Sequence, residues 1–187
     1  MTGLLPGEVT APQGETAVLV AVQSALAGRP GVLSTARGLS HFGEHSIGWV
    51  AAALIGAAIN KRDKPLRRSW LAAGAGAFGA HAASVIIKRV VRRRRPSHEA
   101  VRVNVSTPSR LSFPSSHATS TAAAAVLLAP LTGLPLPALL IPPMALSRLV
   151  LGVHYPTDVA AGAALGAVIG LVVREADRRI ASTKEQR

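Results

Sequence analysis

Long apolar runs are the feature of this sequence that most limits the folds it can adopt. Five such runs cover residues 46–60, 69–87, 117–134, 135–153 and 156–173, and the last four are 18 or 19 residues long. A helix needs about 20 residues, and at least about 17, to cross the hydrocarbon core of a bilayer. Four runs therefore predict membrane spans. The run 46–60 has only 15 residues, but Trp49 and Lys61 can reach the two interfaces.

The pattern within these runs separates membrane helices from helices buried in a soluble core. Apolar residues lie all round each run rather than along one stripe. Hydrophobic residues make up 49% of the chain but aromatic residues only 3%, and the small residues Ala and Gly are abundant. Small residues let helices approach closely in lipid. We therefore predict an all-α fold: a polytopic transmembrane helical bundle with five spans and one N-terminal helix.

The runs also divide the chain into three regions. Residues 1–45 are predicted to form an N-terminal tail and a helix at 16–27, which lies at the interface unless it makes a sixth, shortened span. Residues 46–174 form the transmembrane domain, and residues 175–187 a basic cytoplasmic tail. No signal peptide is recognisable near Met1, and the absence of cysteine excludes disulfides and thiolate chemistry.

The net charge of +12 falls in blocks at the ends of apolar runs, at 61–68, 88–95 and from 174 onwards. Membrane proteins use such blocks for orientation and for contact with anionic lipids. The scarcity of aromatic residues argues against a nucleic-acid partner. We expect the protein in the cell membrane. Once the basic residues needed for chemistry are discounted, the charge bias favours an orientation with the loop 89–116 on the extracytoplasmic face.

Three polar clusters border the runs, and the alternation of five spans places all three on one side of the membrane. The first contains Lys88 and Arg95, the second is the segment 113–117, and the third extends from Ser147 to Asp158. Ionisable groups beside spans are costly in lipid and are therefore functional candidates. Arg89 and residues 92–94 are expected to contact headgroups or a second anionic part of a substrate.

Together these clusters favour a bound dianion. Lys88, Arg95 and Arg148 supply three positive charges, two of them guanidinium forks that suit phosphate oxygens. The sequence Pro-Ser-Ser-His at 114–117 predicts a helix start, and the free N–H groups of such a start bind anions. Pro156 suits the first turn of the last helix, so the residues just before it lie at a second helix start.

Two histidines divide the expected chemistry. Asp158 follows His154 by four residues and can accept a hydrogen bond from one ring nitrogen, which leaves the other free to attack phosphorus. His117 can protonate the leaving oxygen as general acid. The sequence offers no carboxylate cluster for a metal ion, so we expect neither a metal nor another cofactor.

These residues resemble the three-part signature of the type 2 phosphatidic acid phosphatase superfamily. The match consists of Lys-x6-Arg-Pro at 88–96, Pro-Ser-x-His at 114–117 and Ser-Arg-x5-His-x3-Asp at 147–158, in the family's order and spacing. The resemblance implies a phosphohistidine intermediate on His154. It also implies phosphate binding by Lys88, Arg95, Ser116, His117 and Arg148. Ser116 is a departure, since the family usually has Gly there.

The resemblance further implies an integral membrane phosphatase that hydrolyses a lipid-linked phosphate monoester. The short chain, with the segment 40–45 ahead of the first span, is similar to actinobacterial members of the family, which implies decaprenylphosphoryl-5-phosphoribose, used in cell-wall synthesis, as the candidate substrate. Undecaprenyl pyrophosphate, phosphatidic acid and phosphatidylglycerol phosphate stay open. A non-enzymatic membrane protein that binds anionic lipids is the alternative from another class. The oligomeric state is not predicted.

Overall fold

The computed structural model describes residues 11–185, so most of the predicted N-terminal tail lies outside the described residues. The described part is all-helical, as predicted, and contains no strand. Its seven α-helices are α1 (Gly14–Leu26), α2 (Val32–Gly43), α3 (Ile47–Ile59), α4 (Lys64–Val91), α5 (Ser116–Thr132), α6 (Leu136–Val150) and α7 (Pro156–Glu185). A single 3₁₀ turn, Glu44–Ser46, joins α2 to α3.

Within the described residues, three stretches are long and apolar enough to cross a membrane: Val32–Ile59, Lys64–Val91 and Pro156–Thr183. The first combines α2, the 3₁₀ turn and α3, and it is interrupted where His45 and Ser46 have φ angles of 49° and 64°. Helices α5 and α6 have 17 and 15 residues. The chain is therefore a membrane protein by its helices, while the count of five spans stays a prediction.

Two helices differ from the sequence prediction. Helix α2 lies in a region for which no helix was predicted, because its mixture of Ser, Thr, Arg and His breaks the apolar run. Helix α7 continues to Glu185 through residues predicted as tail. Asp177 fixes this extension, since its carboxylate accepts hydrogen bonds from Arg68 Nε at 2.8 Å and from Ser69 Oγ at 2.6 Å.

Helix α5 lies at the centre of the bundle, and small residues let α7 pack directly against it. Most of α5 is buried, including a run of four alanines at 122–125. A Cβ atom added at Gly166 of α7 would lie 2.0 Å from the carbonyl oxygen of Thr119, and one added at Gly162 would lie 2.7 Å from that of Ser115. This close approach is the packing by which helices associate in lipid.

The packing brings the predicted polar clusters to one end of the bundle. Helices α5 and α7 begin side by side there, and the backbone N–H of Ser115 donates to the carbonyl oxygen of Asp158 at 2.9 Å. The loop that follows α4 folds back on itself, because Ser112 N donates to Arg93 O at 2.8 Å. Residues far apart in sequence thus surround one cavity.

Candidate active site

A cavity of about 770 Å³ opens at this end of the bundle. Six of the seven predicted site residues line it: Lys88, Arg95, Ser116, His117, Arg148 and His154. The seventh, Asp158, is fully buried behind His154. The structure therefore brings all three predicted clusters together around one space.

His154 is the buried histidine of this site. Its Nε2 lies 3.3 Å from Arg95 Nη1, while its Nδ1 lies 3.7 Å from Asp158 Oδ2, which is longer than a hydrogen bond. Burial lowers the pKa of His154 to about 3; the Asp158 carboxylate raises that pKa, and the nearby cations Arg95, Lys88 and Arg148 lower it. The ring is therefore neutral at neutral pH, the form in which a nitrogen lone pair can attack phosphorus.

Asp158 is held by two hydrogen bonds from residues other than His154. Its Oδ2 accepts a hydrogen bond from Tyr155 N at 2.8 Å, and its Oδ1 accepts one from Arg93 Nη1 at 3.0 Å. The prediction that Arg93 contacts headgroups or substrate is therefore wrong, since its guanidinium turns inward and also stacks 4.2 Å from the Tyr155 ring centre.

Lys88 and Arg95 are held by backbone carbonyl oxygens instead of carboxylates. Lys88 Nζ donates to the carbonyls of Ser112 and Pro114 at 2.9 and 2.6 Å. Arg95 donates from Nε to Ser109 O at 2.8 Å and from Nη1 to Val153 O at 2.7 Å. Burial lowers the pKa of Arg95 to about 10, so its guanidinium still carries a charge at neutral pH. Carbonyls orient these cations without neutralising them.

Arg148 is only 2% exposed. Its Nε and Nη2 are buried and have no hydrogen-bond partner among the described residues. A buried guanidinium without an acceptor costs several kcal/mol. Arg148 lines the cavity, so an anionic ligand bound there can supply two oxygens as acceptors for Nε and Nη2.

The start of α5 forms another side of the cavity. Ser115 caps the helix, its Oγ accepting from Ala118 N at 3.5 Å. The Ser116 hydroxyl lies 2.7 Å from Ser84 Oγ, which lies 2.6 Å from His81 O. Since the carbonyl only accepts, Ser84 donates to it and Ser116 donates to Ser84. The Ser116 side chain thus turns towards α4 and leaves the helix N–H groups open.

His117 depends on α2, which the sequence reading did not identify as a helix. Its Nε2 lies 2.8 Å from the Ser40 carbonyl oxygen. A Cβ atom at Gly43 would lie 2.8 Å from the His117 ring, so only glycine lets α2 approach this closely. Helix α2 therefore places the histidine predicted as the general acid.

Four charged or titratable residues line the outer part of the cavity, and of these only Arg89 was predicted to contact headgroups or a second anionic part of a substrate. Arg37 and His41 come from α2, Glu44 from the 3₁₀ turn and Arg89 from the end of α4. Among the described residues, no hydrogen bond or ion pair involves the Arg89 side chain, and Arg37 donates only from Nε, to Asn104 O at 3.0 Å. A polar segment ahead of an apolar run, such as 37–45, was the available signal.

Comparison with known sequences identifies related phosphatases. The sequence profile of the PAP2 superfamily matches residues 69–180. A relative from Mycobacterium tuberculosis (strain ATCC 25618 / H37Rv), named decaprenylphosphoryl-5-phosphoribose phosphatase, is 68% identical over 163 residues, which are 87% of this chain and 90% of that protein. A relative of the same name from Mycolicibacterium smegmatis is 75% identical over 152 residues, 81% of this chain and 83% of that protein.

Solved structures with the same fold are more distant. A transmembrane PAP2 type phosphatidylglycerolphosphate phosphatase from Bacillus subtilis superimposes with a TM-score of 0.70 and 23% identity, over 87% of this chain and 86% of that one. A bacterial vanadium-dependent iodoperoxidase superimposes with a TM-score of 0.69 and 17% identity, over 90% of this chain and 51% of that one. At these identities the likeness concerns the fold alone.

Proposed function

This chain belongs to the PAP2 superfamily and is a membrane phosphatase of lipid-linked phosphates, and we propose that it removes the 5-phosphate of decaprenylphosphoryl-5-phosphoribose. Relatives of that name are 68% and 75% identical to it. The observation that carries the chemistry is the arrangement of Arg148 and His154 in one cavity: an unpaired buried guanidinium beside a neutral, buried imidazole.

In the proposed reaction His154 is the nucleophile. Its Nε2 lone pair attacks phosphorus, a P–N bond forms, and the bond between phosphorus and the ribose 5-oxygen breaks. Lys88, Arg95, Arg148 and the N–H groups at the start of α5, including that of Ser116, stabilise the charge on the equatorial oxygens. Water then attacks the phosphohistidine, and inorganic phosphate leaves with the His154 ring restored.

His117 is the proposed general acid and then the base. The Ser40 carbonyl can only accept a hydrogen bond, so His117 carries a proton on Nε2. The imidazolium form, with a second proton on Nδ1, gives that proton to the departing ribose oxygen. In the second step the same nitrogen takes a proton from the attacking water.

The charges in the outer part of the cavity support the proposal that the substrate has a second anionic group. Arg37 and Arg89 are exposed cations that line the same cavity as His154. In decaprenylphosphoryl-5-phosphoribose a phosphodiester joins the lipid to the sugar, so a second negative charge lies one ribose away from the reacting phosphate. We propose that Arg37 and Arg89 bind this phosphodiester.

A substrate panel tests the proposed function. The full chain in detergent with EDTA should release phosphate fastest from decaprenylphosphoryl-5-phosphoribose. Undecaprenyl pyrophosphate, phosphatidic acid and phosphatidylglycerol phosphate are the competing substrates. His154→Ala should lose activity at least about a thousandfold, as nucleophile variants do. Faster release of phosphate from a competing lipid would overturn the proposed identity of the substrate. No release by wild type, or equal release by His154→Ala, would overturn the phosphatase mechanism and favour a lipid-binding protein.

We also propose that the site faces the extracytoplasmic side of the cell membrane. The support is the charge bias of the sequence, with the basic loop 61–68 and the basic end of α7 on the opposite side. The chain has no cysteine, and Ser97 is exposed in the loop beside the cavity. Ser97→Cys should react with an impermeant maleimide in intact cells. Labelling only after permeabilisation would reverse the orientation.

A further inference from the structure

Glu15, on the N-terminal helix α1, joins the group of residues behind His154. Its Oε2 accepts a hydrogen bond from Arg93 Nη2, and Arg93 Nη1 donates to Asp158 Oδ1 at 3.0 Å. We propose that Glu15 is a positioning residue: through Arg93 it holds Asp158, and thereby the His154 ring, in place for attack. The inference rests on the proposed function, because it takes His154 as the nucleophile.

Thr157 closes this arrangement into a ring of hydrogen bonds. Glu15 Oε1 accepts from Thr157 N at 2.9 Å and from Thr157 Oγ1 at 2.6 Å. The hydroxyl has one proton and gives it to Glu15, so its oxygen can accept from Arg93 Nη1 at 2.7 Å. All of these hydrogen bonds can therefore form at the same time. Glu15 is bonded at once to the start of α7 and to Arg93.

The charges in this ring explain why two carboxylates share one arginine. A guanidinium fork prefers to bind one carboxylate with both nitrogens. Glu15 occupies Nη2, so Asp158 receives a bond from Nη1 alone, while its Oδ2 accepts from Tyr155 N at 2.8 Å and stays on the His154 side, 3.7 Å from Nδ1. Without Glu15, Arg93 can compete with Tyr155 N for Oδ2 as well, and a fork that takes both oxygens of Asp158 turns the carboxylate away from the histidine.

Both partners keep their charges in this environment. Burial alone would raise the pKa of Glu15, but hydrogen bonds from Thr157 and Arg93 outweigh it and lower that pKa. Burial would lower the pKa of Arg93, but Glu15 and Asp158 outweigh it and raise that pKa. Glu15 is also the one ionisable residue in the α1 sequence, which is otherwise mostly apolar. The fold thus delivers one charge from α1 to the active site.

The first test is Glu15→Ala in the purified full chain, assayed on the substrate that wild type hydrolyses. We expect kcat to fall about tenfold, as when the supporting partner of an active-site group is removed, with KM changed less than about twofold. Rapid quench should show the same loss in the rate of phosphohistidine formation. Glu15→Gln should behave like Glu15→Ala, because the amide cannot accept from Arg93 as a charged group does.

Gln23→Ala is the matched control on the same helix. Gln23 is buried and ties α1 to the rest of the chain, with Nε2 donating to Arg102 O at 2.6 Å and to Val150 O at 3.1 Å. It contacts none of Glu15, Arg93 or Asp158 through a hydrogen bond. Gln23→Ala should therefore lower the thermal midpoint and leave kcat near wild type. Equal losses of kcat in Glu15→Ala and Gln23→Ala would reduce α1 to a structural part and overturn the proposal.

A double-mutant cycle gives the second test. If Glu15 acts through Arg93, Glu15→Ala should change kcat less than about twofold in the Arg93→Ala background. Losses that multiply would contradict the inference, as would a wild-type kcat in Glu15→Ala alone. These outcomes differ from failure of the proposed function, in which wild type itself is inactive or His154→Ala keeps its activity.

Discussion

The cavity has two walls of different character. The inner wall (Lys88, Arg95, Arg148 and His154) is mostly buried, and backbone carbonyls orient Lys88 and Arg95. The outer wall (Arg37, His41, Glu44 and Arg89) is more exposed and contains both signs of charge, with His41 Nδ1 3.7 Å from Glu44 Oε2.

This difference corresponds to two tasks. Charges that stabilise a transition state act most strongly when they are fixed and shielded from water. The inner wall keeps three cations in that condition at a cost in stability, because Arg148 has unpaired buried donors. Exposed charges contribute little to stability and are screened by salt, but they can select a ligand. We expect the inner wall to determine the rate and the outer wall to determine the substrate.

Arg148→Met should produce the largest change that separates the two walls. We expect kcat/KM to fall about 10²- to 10³-fold, the loss seen when one preorganised donor to a transition state is removed. Without added ligand, the variant should nevertheless unfold at the same or a higher temperature than wild type, since replacing a buried charge by an apolar side chain is often neutral or stabilising. Steady-state kinetics and thermal unfolding in detergent measure the two effects.

Inorganic phosphate provides the control for this variant. Added phosphate should raise the unfolding temperature of wild type by mass action but not that of Arg148→Met. A variant that keeps more than about a tenth of wild-type kcat/KM would contradict the role given to Arg148. So would a variant that unfolds well below wild type, because it would show that the guanidinium stabilises the empty fold.

The outer wall should produce a smaller and more selective effect. Two synthetic substrates separate it: an alkyl riboside 5-phosphate and the corresponding alkylphosphoryl riboside 5-phosphate, which differ only in the phosphodiester. Arg37→Ala and Arg89→Ala should each raise KM about tenfold for the second substrate and hardly change it for the first, because a hydrogen bond to a charged group is lost only there.

Arg110→Ala is the matched control, since Arg110 is exposed in the same loop region but does not line the cavity. It should leave KM for both substrates near wild type. If Arg37→Ala raises KM for both substrates equally, the outer wall attracts anionic surfaces in general and does not recognise the phosphodiester. General attraction of anionic surfaces would be supported if the rise in KM caused by Arg37→Ala disappears at high salt, because salt screens exposed charges.

The sequence predicted the inner wall because its residues belong to motifs with fixed spacing, such as the motif that contains Arg148 and His154. It could not reveal Arg93, which is one of four consecutive arginines at 92–95 and differs from its neighbours only in its direction. Glu15 was equally hidden, because 78 residues separate it from Arg93 and only the packing of α1 joins them. Motifs encode the side chains that line the inner cavity, whereas tertiary contacts encode their supports.

Arg37 and His41 of the outer wall were missed for a different physical reason. Helix α2 carries Arg37 and His41, and its mixed composition lacks the long apolar run by which the other helices were recognised. Its place is fixed by contacts that no local pattern shows, such as the close approach of Gly43 to the His117 ring. The all-helical fold follows from hydropathy, but the position of a polar helix at the mouth of the site follows from packing.

Ser116→Gly should produce the smallest effect, and it tests whether the boundary between chemistry and support is drawn correctly. The hydroxyl donates to Ser84, so it does not face the phosphate, and the phosphate contact expected at this position comes from the backbone N–H. Restoring the family's usual Gly should therefore change kcat/KM less than about threefold, a loss or gain of under 1 kcal/mol. Ser84→Ala, which removes the same hydrogen bond from the other side, is the control and should give a similar small change. A loss of tenfold or more in Ser116→Gly, with Ser84→Ala unaffected, would show that the hydroxyl itself binds the phosphate and that the inner wall extends to this side chain.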